Sequence, residues 1–306
     1  AAGAVAVIAS GGEVRAHLAP FVLPRSSFLS CPMHHTSRST MLRTAAFALL
    51  LSMPAALHAQ GTPPVFIDEL TWTEIRDRMQ AGTRSVIIGT AGQEQKGPHM
   101  VDGEHKWVLT HTTERIARAL GDALVAPIVT YVPEGSWEPA RGHMAKPGTI
   151  TLPEDRFVEL LVHAARSLKN GGFTQIIYIG DSGGNQRGMQ KAAEQLNAEW
   201  GGSARALFIG DYYTKAGEDM RVMLRGKGYT DEDIGSHAGM LDTSELLYVN
   251  PKLVRKERFA RNGGAPDSGV NGDPTKASAE IGAELLKIKI DNALNQIRTL
   301  RAGGSK

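Results

Sequence analysis

Two short apolar runs constrain the fold of this chain most: Ser85-Val86-Ile87-Ile88-Gly89 and Gln175-Ile176-Ile177-Tyr178-Ile179. Neither is long enough for a stable helix, and neither alternates with polar residues. That is the pattern of a strand buried on both faces of a parallel sheet. Helical patterns are interleaved with them. Thr71 and Glu74 form a capping box for a helix reaching about residue 79. Further helices are expected over 106–120, 153–169, 186–200, 214–226 and 274–302, and further strands over 124–130 and 206–209. Repeated strand-then-helix units predict a doubly wound α/β layer with a mostly parallel sheet and right-handed crossovers.

Charge and cysteine content narrow the class of function. The chain has 34 Lys and Arg, 32 Asp and Glu, 42% hydrophobic residues and one Cys among 306 residues, which excludes a disulfide scaffold, a disordered polyelectrolyte and a multi-pass membrane protein. Residues 1–59 hold four of the basic residues and one of the acidic ones, so the remaining residues, 60–306, are near neutral. A nucleic-acid footprint is not supported. From Met41 the sequence MLRTAAFALLLSMPAALHAQ has the charged start, short apolar centre and small-residue end of a secretory signal peptide over 41–59. An uncleaved anchor is the competing reading. Residues 1–40, which include Cys31, read as upstream sequence outside the fold, and 60–306 as one domain. A periplasmic or secreted location, with no membrane attachment of the mature chain, is the resulting expectation.

In doubly wound folds chemistry gathers where loops leave the carboxyl ends of the strands. Here those loops are 92–105, 131–149 and 180–185, joined by 236–244 on grounds of residue type. Four of the six His beyond residue 59 fall in these segments: 99, 105, 143 and 237. With Glu94, Asp102, Glu104, Asp181 and Asp242 they supply the nitrogen and carboxylate donors that Zn²⁺ or Mn²⁺ takes. Helix capping is the structural alternative. The string Gly180-Asp181-Ser182-Gly183-Gly184 matches the surroundings of a chymotrypsin-like nucleophile, but it ends a buried strand in an α/β chain, which is the wrong context. It also lacks the Lys of a P-loop.

The segment Thr71–His105 resembles the opening of the creatininase family of metal-dependent amidohydrolases, whose members show a Glu-Gln-His-Gly-Pro-His run and an Asp eleven residues after the Glu. The likeness continues through Gly142–Ile150, Gly180–Asn185, His237–Ser244 and Gly269–Pro274. The resemblance implies a three-layer α/β/α fold, a homo-oligomer, often a hexamer, and hydrolysis of a C–N bond in a small cyclic or linear amide at a dinuclear site. Its ligand set has changed here. Glu94 is retained, while Lys96 stands for the first His, His105 for the Asp and Ser182 for the His of the Gly-rich turn. Met240 replaces a Glu and Asp242 shortens another.

Loss of anionic ligands disfavours two divalent ions. The reading is therefore one Zn or Mn ion, or none, held by Glu94 and His105 with Asp181 added, Lys96 standing in for the second cation, and His237 as general acid and base. His99, His143, Trp137 and Asp242 are the expected substrate contacts. Lys96 could instead simply pair with Glu94 or Asp181, and Ser182 could be an N-cap. Two other functions stay open: a metal-free hydrolase using Ser182 and Lys96, and a periplasmic binding or scaffold protein that keeps the pocket without turnover.

Overall fold

In the two apolar runs, consecutive side chains face opposite ways, and both faces are covered. The computed structural model describes residues 62–303; the expected upstream segment 1–40 and signal peptide 41–59 lie outside the described residues. The elements in chain order are α1 (Trp72–Gln80), β1 (Ser85–Thr90), α2 (Glu104–Leu120), β2 (Ala123–Val125), β3 (Gly135–Trp137), β4 (Ala140–Gly142), α3 (Glu154–Asn170) and β5 (Gln175–Gly180). They continue with α4 (Gln186–Trp200), β6 (Arg205–Phe208), α5 (Thr214–Gly226), α6 (Asp231–Ile234), α7 (Met240–Val249) and α8 (Ala279–Gly303). No helix of the described residues is long and apolar enough to cross a membrane.

The main sheet is parallel with strand order β2-β1-β5-β6, and Ser85 to Thr90 pair in register with Gln175 to Gly180. Val86, Ile88, Ile176 and Tyr178 face α3 and α4 through Phe157, Leu161, Met189 and Leu196. Ile87, Ile177 and Ile179 face the opposite way, onto α2 and α8, through Leu109, Ile116, Ala293 and Ile297. The result is a three-layer α/β/α fold, each fully buried Ile contributing about 1.5–3 kcal/mol. Its last helix packs on the sheet.

Four details depart from the sequence expectation. The strand expected over 124–130 stops at Val125, because Pro127 has no N–H for the ladder; a single parallel bridge resumes at Val129 with Thr90. The 131–149 loop contains an exposed hairpin, β3 with β4. The expected terminal helix begins instead with a 3₁₀ turn, Pro274–Lys276, in which the Asp273 side chain accepts from the Thr275 N–H, and α8 starts at Ala279. Segment 236–244 enters a helix, α7, that packs against α8 so tightly that a Cβ on Gly282 would collide with the Ser244 carbonyl.

This topology fixes where a site can form. The chain goes from β1 outward to β2, then returns past β1 to β5, so the connections leaving β1 and β5 diverge. The crevice at their carboxyl ends is the topological switch point.

Candidate active site

Glu94 follows β1 by four residues and Asp181 follows β5 directly, so both acids stand over the switch point. Asn185 ties the two strand ends together by donating to the carbonyls of Thr90 and Ala91 at 2.8 and 3.1 Å. A cavity of about 770 Å³ opens there, and Glu94, Glu134, His143, Asp181, Ser182 and His237 are among its walls.

Its floor is a chain of buried charges. His105, on the first turn of α2, lies between two acids: Nε2 is 2.8 Å from Glu94 Oε1 and Nδ1 is 3.1 Å from Asp181 Oδ2. The same Nδ1 is 3.0 Å from Glu104 Oε2. Lys96 Nζ is 2.9 Å from Asp242 Oδ2, 3.0 Å from Glu94 Oε1 and 3.3 Å from Glu104 Oε2, with 1% of its side chain exposed. On the far side Lys289, from α8, is 2.8 Å from Asp181 Oδ1 and 2.6 Å from Glu245 Oε2 of α7.

Burial opposes every charge in this cluster, and neighbouring opposite charges decide which survive. Burial would discharge Lys96, but Asp242, Glu104 and Glu94 hold it well above its ordinary range. Burial and then Lys96 work against a charge on His105, yet Glu104, Asp181 and Glu94 raise it well above 6.5. Against burial, Lys96 and His105 hold Glu94 far below the carboxylate range, Lys96 does the same for Asp242, and Lys289 and His105 lower Asp181. For three other acids, Glu104 among them, burial outweighs the cations. Burial and a hydrogen bond to Glu94 push Glu134 up to about 9, and burial pushes Glu245 up to about 8 despite Lys289.

The upper wall carries two imidazoles, with ring centroids of His143 and His237 4.4 Å apart. His237 Nε2 lies 2.8 Å from the Gln95 carbonyl and 3.0 Å from the Gln95 side-chain nitrogen, and Nδ1 lies 3.7 Å from Glu94 Oε1; when Nε2 donates to the carbonyl, Nδ1 is the unprotonated nitrogen. Burial and the nearby Lys96 charge lower His237 to about 4, so it is neutral at ordinary pH. His143 Nε2 is 3.2 Å from the other Glu94 oxygen. The loop 269–273 holds His237 in place, the Asn271 N–H donating to the His237 carbonyl at 2.8 Å. The next residue, Ala238, takes a left-handed φ of 51°, a strained conformation for alanine, and its N–H donates to Asp242 Oδ2 at 2.8 Å.

Most of the residues singled out in the sequence converge here. Glu94, Lys96, His105, Asp181, Ser182, His143, His237 and Asp242 all line the cavity. Asp242 is engaged internally, by Lys96 and the Ala238 N–H. Ser182 makes no side-chain cap to the turn that follows it. Lys96, surrounded by three carboxyls, has no lone pair with which to activate that serine. Two expected substrate contacts lie elsewhere. His99 is fully buried off the cavity, with Nε2 3.0 Å from Thr243 Oγ1 and its ring edge-on to Phe259, where it locks the 92–105 loop onto α7. Trp137 sits on the outer hairpin, 57% exposed, and does not line the cavity.

Glu134, Glu245 and Lys289 belong to no motif and come from the fold alone. Lys289 nevertheless left a trace in the sequence: it stands on the stripe Ile281, Leu285, Leu286, Ala293 and Ile297, where the helical period calls for an apolar residue.

Two groups among the described residues have donor atoms close enough to share a metal ion: Glu94, His143 and His237, and Glu104, His105 and Asp181. The second contains the pair His105 and Asp181 expected for Zn or Mn, and there both His105 nitrogens are turned to carboxylates, Nε2 to Glu94 and Nδ1 to Asp181. In the first, any cation on Glu94 would share that carboxylate with an ammonium 3.0 Å away. The carboxylates of both groups thus already have internal cationic partners.

Comparison with known proteins agrees with this architecture. The family model described as creatininase, creatinine amidohydrolase, matches residues 68–297. The chain is 26% identical over 261 residues to the creatinine amidohydrolase of Pseudomonas putida, covering 76% of this chain and 96% of the relative. It is 25% identical over 246 residues to the mycofactocin precursor peptide peptidase of Mycobacterium ulcerans (strain Agy99), covering 70% and 84%. A solved structure described as creatininase Mn superposes with a TM-score of 0.63 at 23% identity, covering 78% of this chain and 98% of that one. With the family match spanning both strand ends, the cavity and α8, the chain belongs to the creatininase family of amidohydrolases.

Proposed function

We propose that this protein is an exported amidohydrolase that cleaves the C–N bond of a small cyclic or linear amide in the cavity above Glu94. One observation carries the reading: the His237 imidazole lines the cavity with Nδ1 3.7 Å from Glu94 Oε1, and with Nε2 donating to the Gln95 carbonyl that nitrogen can accept a proton. A water between His237 and Glu94 gives its proton to Nδ1 as its oxygen attacks the amide carbon. The positive charge of His105 and Lys96 behind Glu94 favours the developing oxyanion. Protonated Glu134 is placed to deliver a proton to the leaving nitrogen as the C–N bond breaks, leaving an acid and an amine.

Support for a small substrate comes from the cavity's size, and for amide chemistry from the family. The creatinine amidohydrolase and peptidase named among the relatives both act on C–N bonds, but neither fixes the substrate here. Export rests on the 41–59 sequence, and N-terminal sequencing of the secreted protein tests it; the homo-oligomer implied by the family is measured by sedimentation. For catalysis, a panel of lactams and linear amides is incubated with the purified chain and with His237→Asn. Turnover lost in the variant supports the proposal, and no turnover by the parent on any panel member refutes it.

A second reading has its own support. The acids of the floor each stand against an internal cation, as in a pocket that binds without turnover. Calorimetric binding of a panel amide with no product formed would favour it.

A further inference from the structure

Each floor acid that could serve a divalent ion already has a cationic nitrogen within 3.3 Å. Glu94 has Lys96 at 3.0 Å and His105 at 2.8 Å, and Glu104 has the same two at 3.3 and 3.0 Å. Asp181 has His105 at 3.1 Å and Lys289 at 2.8 Å. Lys96 lies 2.9 Å from Asp242, and Lys289 lies 2.6 Å from Glu245.

The three nitrogen side chains, Lys96, His105 and Lys289, come from three separate parts of the fold: the loop after β1, the start of α2 and the middle of α8. None is free to swing away. Lys96 and Lys289 are both buried, and Lys289 lies on the packed face of a helix held against α7 by the close approach at Gly282. Opening the floor to an ion would require moving an ammonium away from two or three carboxylates into a packed interior.

We infer that this creatininase-family chain holds its carboxylate cluster together with two lysines of its own, Lys96 and Lys289, with His105 hydrogen-bonded between Glu94 and Asp181, and takes up no Zn²⁺ or Mn²⁺. The arrangement is independent of turnover, so it stands or falls separately from the hydrolase reading. Lys289 is central to it, because it supplies positive charge to the acid that His105 also touches.

The test is metal stoichiometry and thermal stability. The full chain, purified without chelator, is equilibrated with ZnCl₂ or MnCl₂, desalted and analysed for metal, and its Tm is recorded with each metal and with EDTA. Retained metal below about 0.1 equivalent, with Tm moved by less than about 1 °C in every condition, is the expected result. Close to one equivalent or more, retained through desalting, with Tm raised by several degrees, would overturn the inference. Lys96→His and Lys289→Met each remove an internal cation, and the first restores a lone-pair donor. Either variant, folded by circular dichroism, is expected to gain a Zn- or Mn-dependent rise in Tm. Folded variants that take up no metal would show that the lysines are not what excludes the ion, and would overturn the inference. Should both variants fail to fold, the measurement on the parent chain decides alone.

Discussion

Lys289 Nζ lies 2.8 Å from Asp181 Oδ1, so the last helix of the chain supplies a cation to the turn that ends the central strand β5. Residues 108 positions apart thus meet at the base of the candidate site. Removing the cation leaves Asp181 and Glu245 facing each other without it. Lys289→Met is expected to destabilise the fold by about 3–5 kcal/mol, as for other broken buried pairs. Lys289→Arg, which keeps the charge, is expected to lose less. Urea unfolding of both variants measures the difference.

His237 acts as a base through its unprotonated ring nitrogen. His237→Asn removes that basic lone pair, so kcat/KM on a turned-over amide is expected to fall by about 10²–10⁴-fold with the fold intact. With His237 lowered to about 4, the acid limb of the parent's pH profile is expected near that value. A limb near 6.5 would point to a different base.

Ser182 lines the cavity without a partner that could make it a nucleophile. Ser182→Ala is therefore expected to leave kcat within about a factor of a few and stability within about 0.5 kcal/mol. Steady-state kinetics check the first and thermal unfolding the second. A loss of activity comparable to that of His237→Asn would restore the serine to the mechanism.

Rising pH is expected to loosen the site. Glu134 and Glu245 have folded-state values raised to about 9 and about 8, above the ordinary carboxyl value of 4.5. Between about pH 4.5 and the folded-state values of about 8 and 9 the folded state holds protons that the unfolded state has released, so the stabilisation they bring declines across that range and is gone above it. Tm is expected to fall between about pH 5 and pH 9 and to level off above. Glu134→Gln, which imitates the protonated acid, is expected to flatten that decline.

The parallel sheet was legible in the sequence because its strands are uninterrupted apolar runs, and helix bounds at 186–200 and 214–226 agree with the structure. Glu94, His105 and Asp181 were legible as a group because the loops leaving adjacent parallel strands must converge. What joins them was not legible. His105 supplies hydrogen bonds to both acids, a choice made by ring orientation that residue type alone leaves open. Lys289 entered the site through the packing of α8 on α7, a contact between segments that no local spacing encodes. His99 and Trp137 shared the residue types of a binding site but not its location: one is needed to fasten a loop, and the other is carried outward by a hairpin.

Nitrogen-15 NMR of histidine-labelled protein tests the central claim most directly, since it reads the charge and tautomer of each imidazole. The expected spectrum at neutral pH shows His105 with both nitrogens protonated, and still so at about pH 9, while His237 is neutral with the proton on Nε2. His105 titrating near its ordinary 6.5, or His237 carrying its proton on Nδ1, would contradict the account.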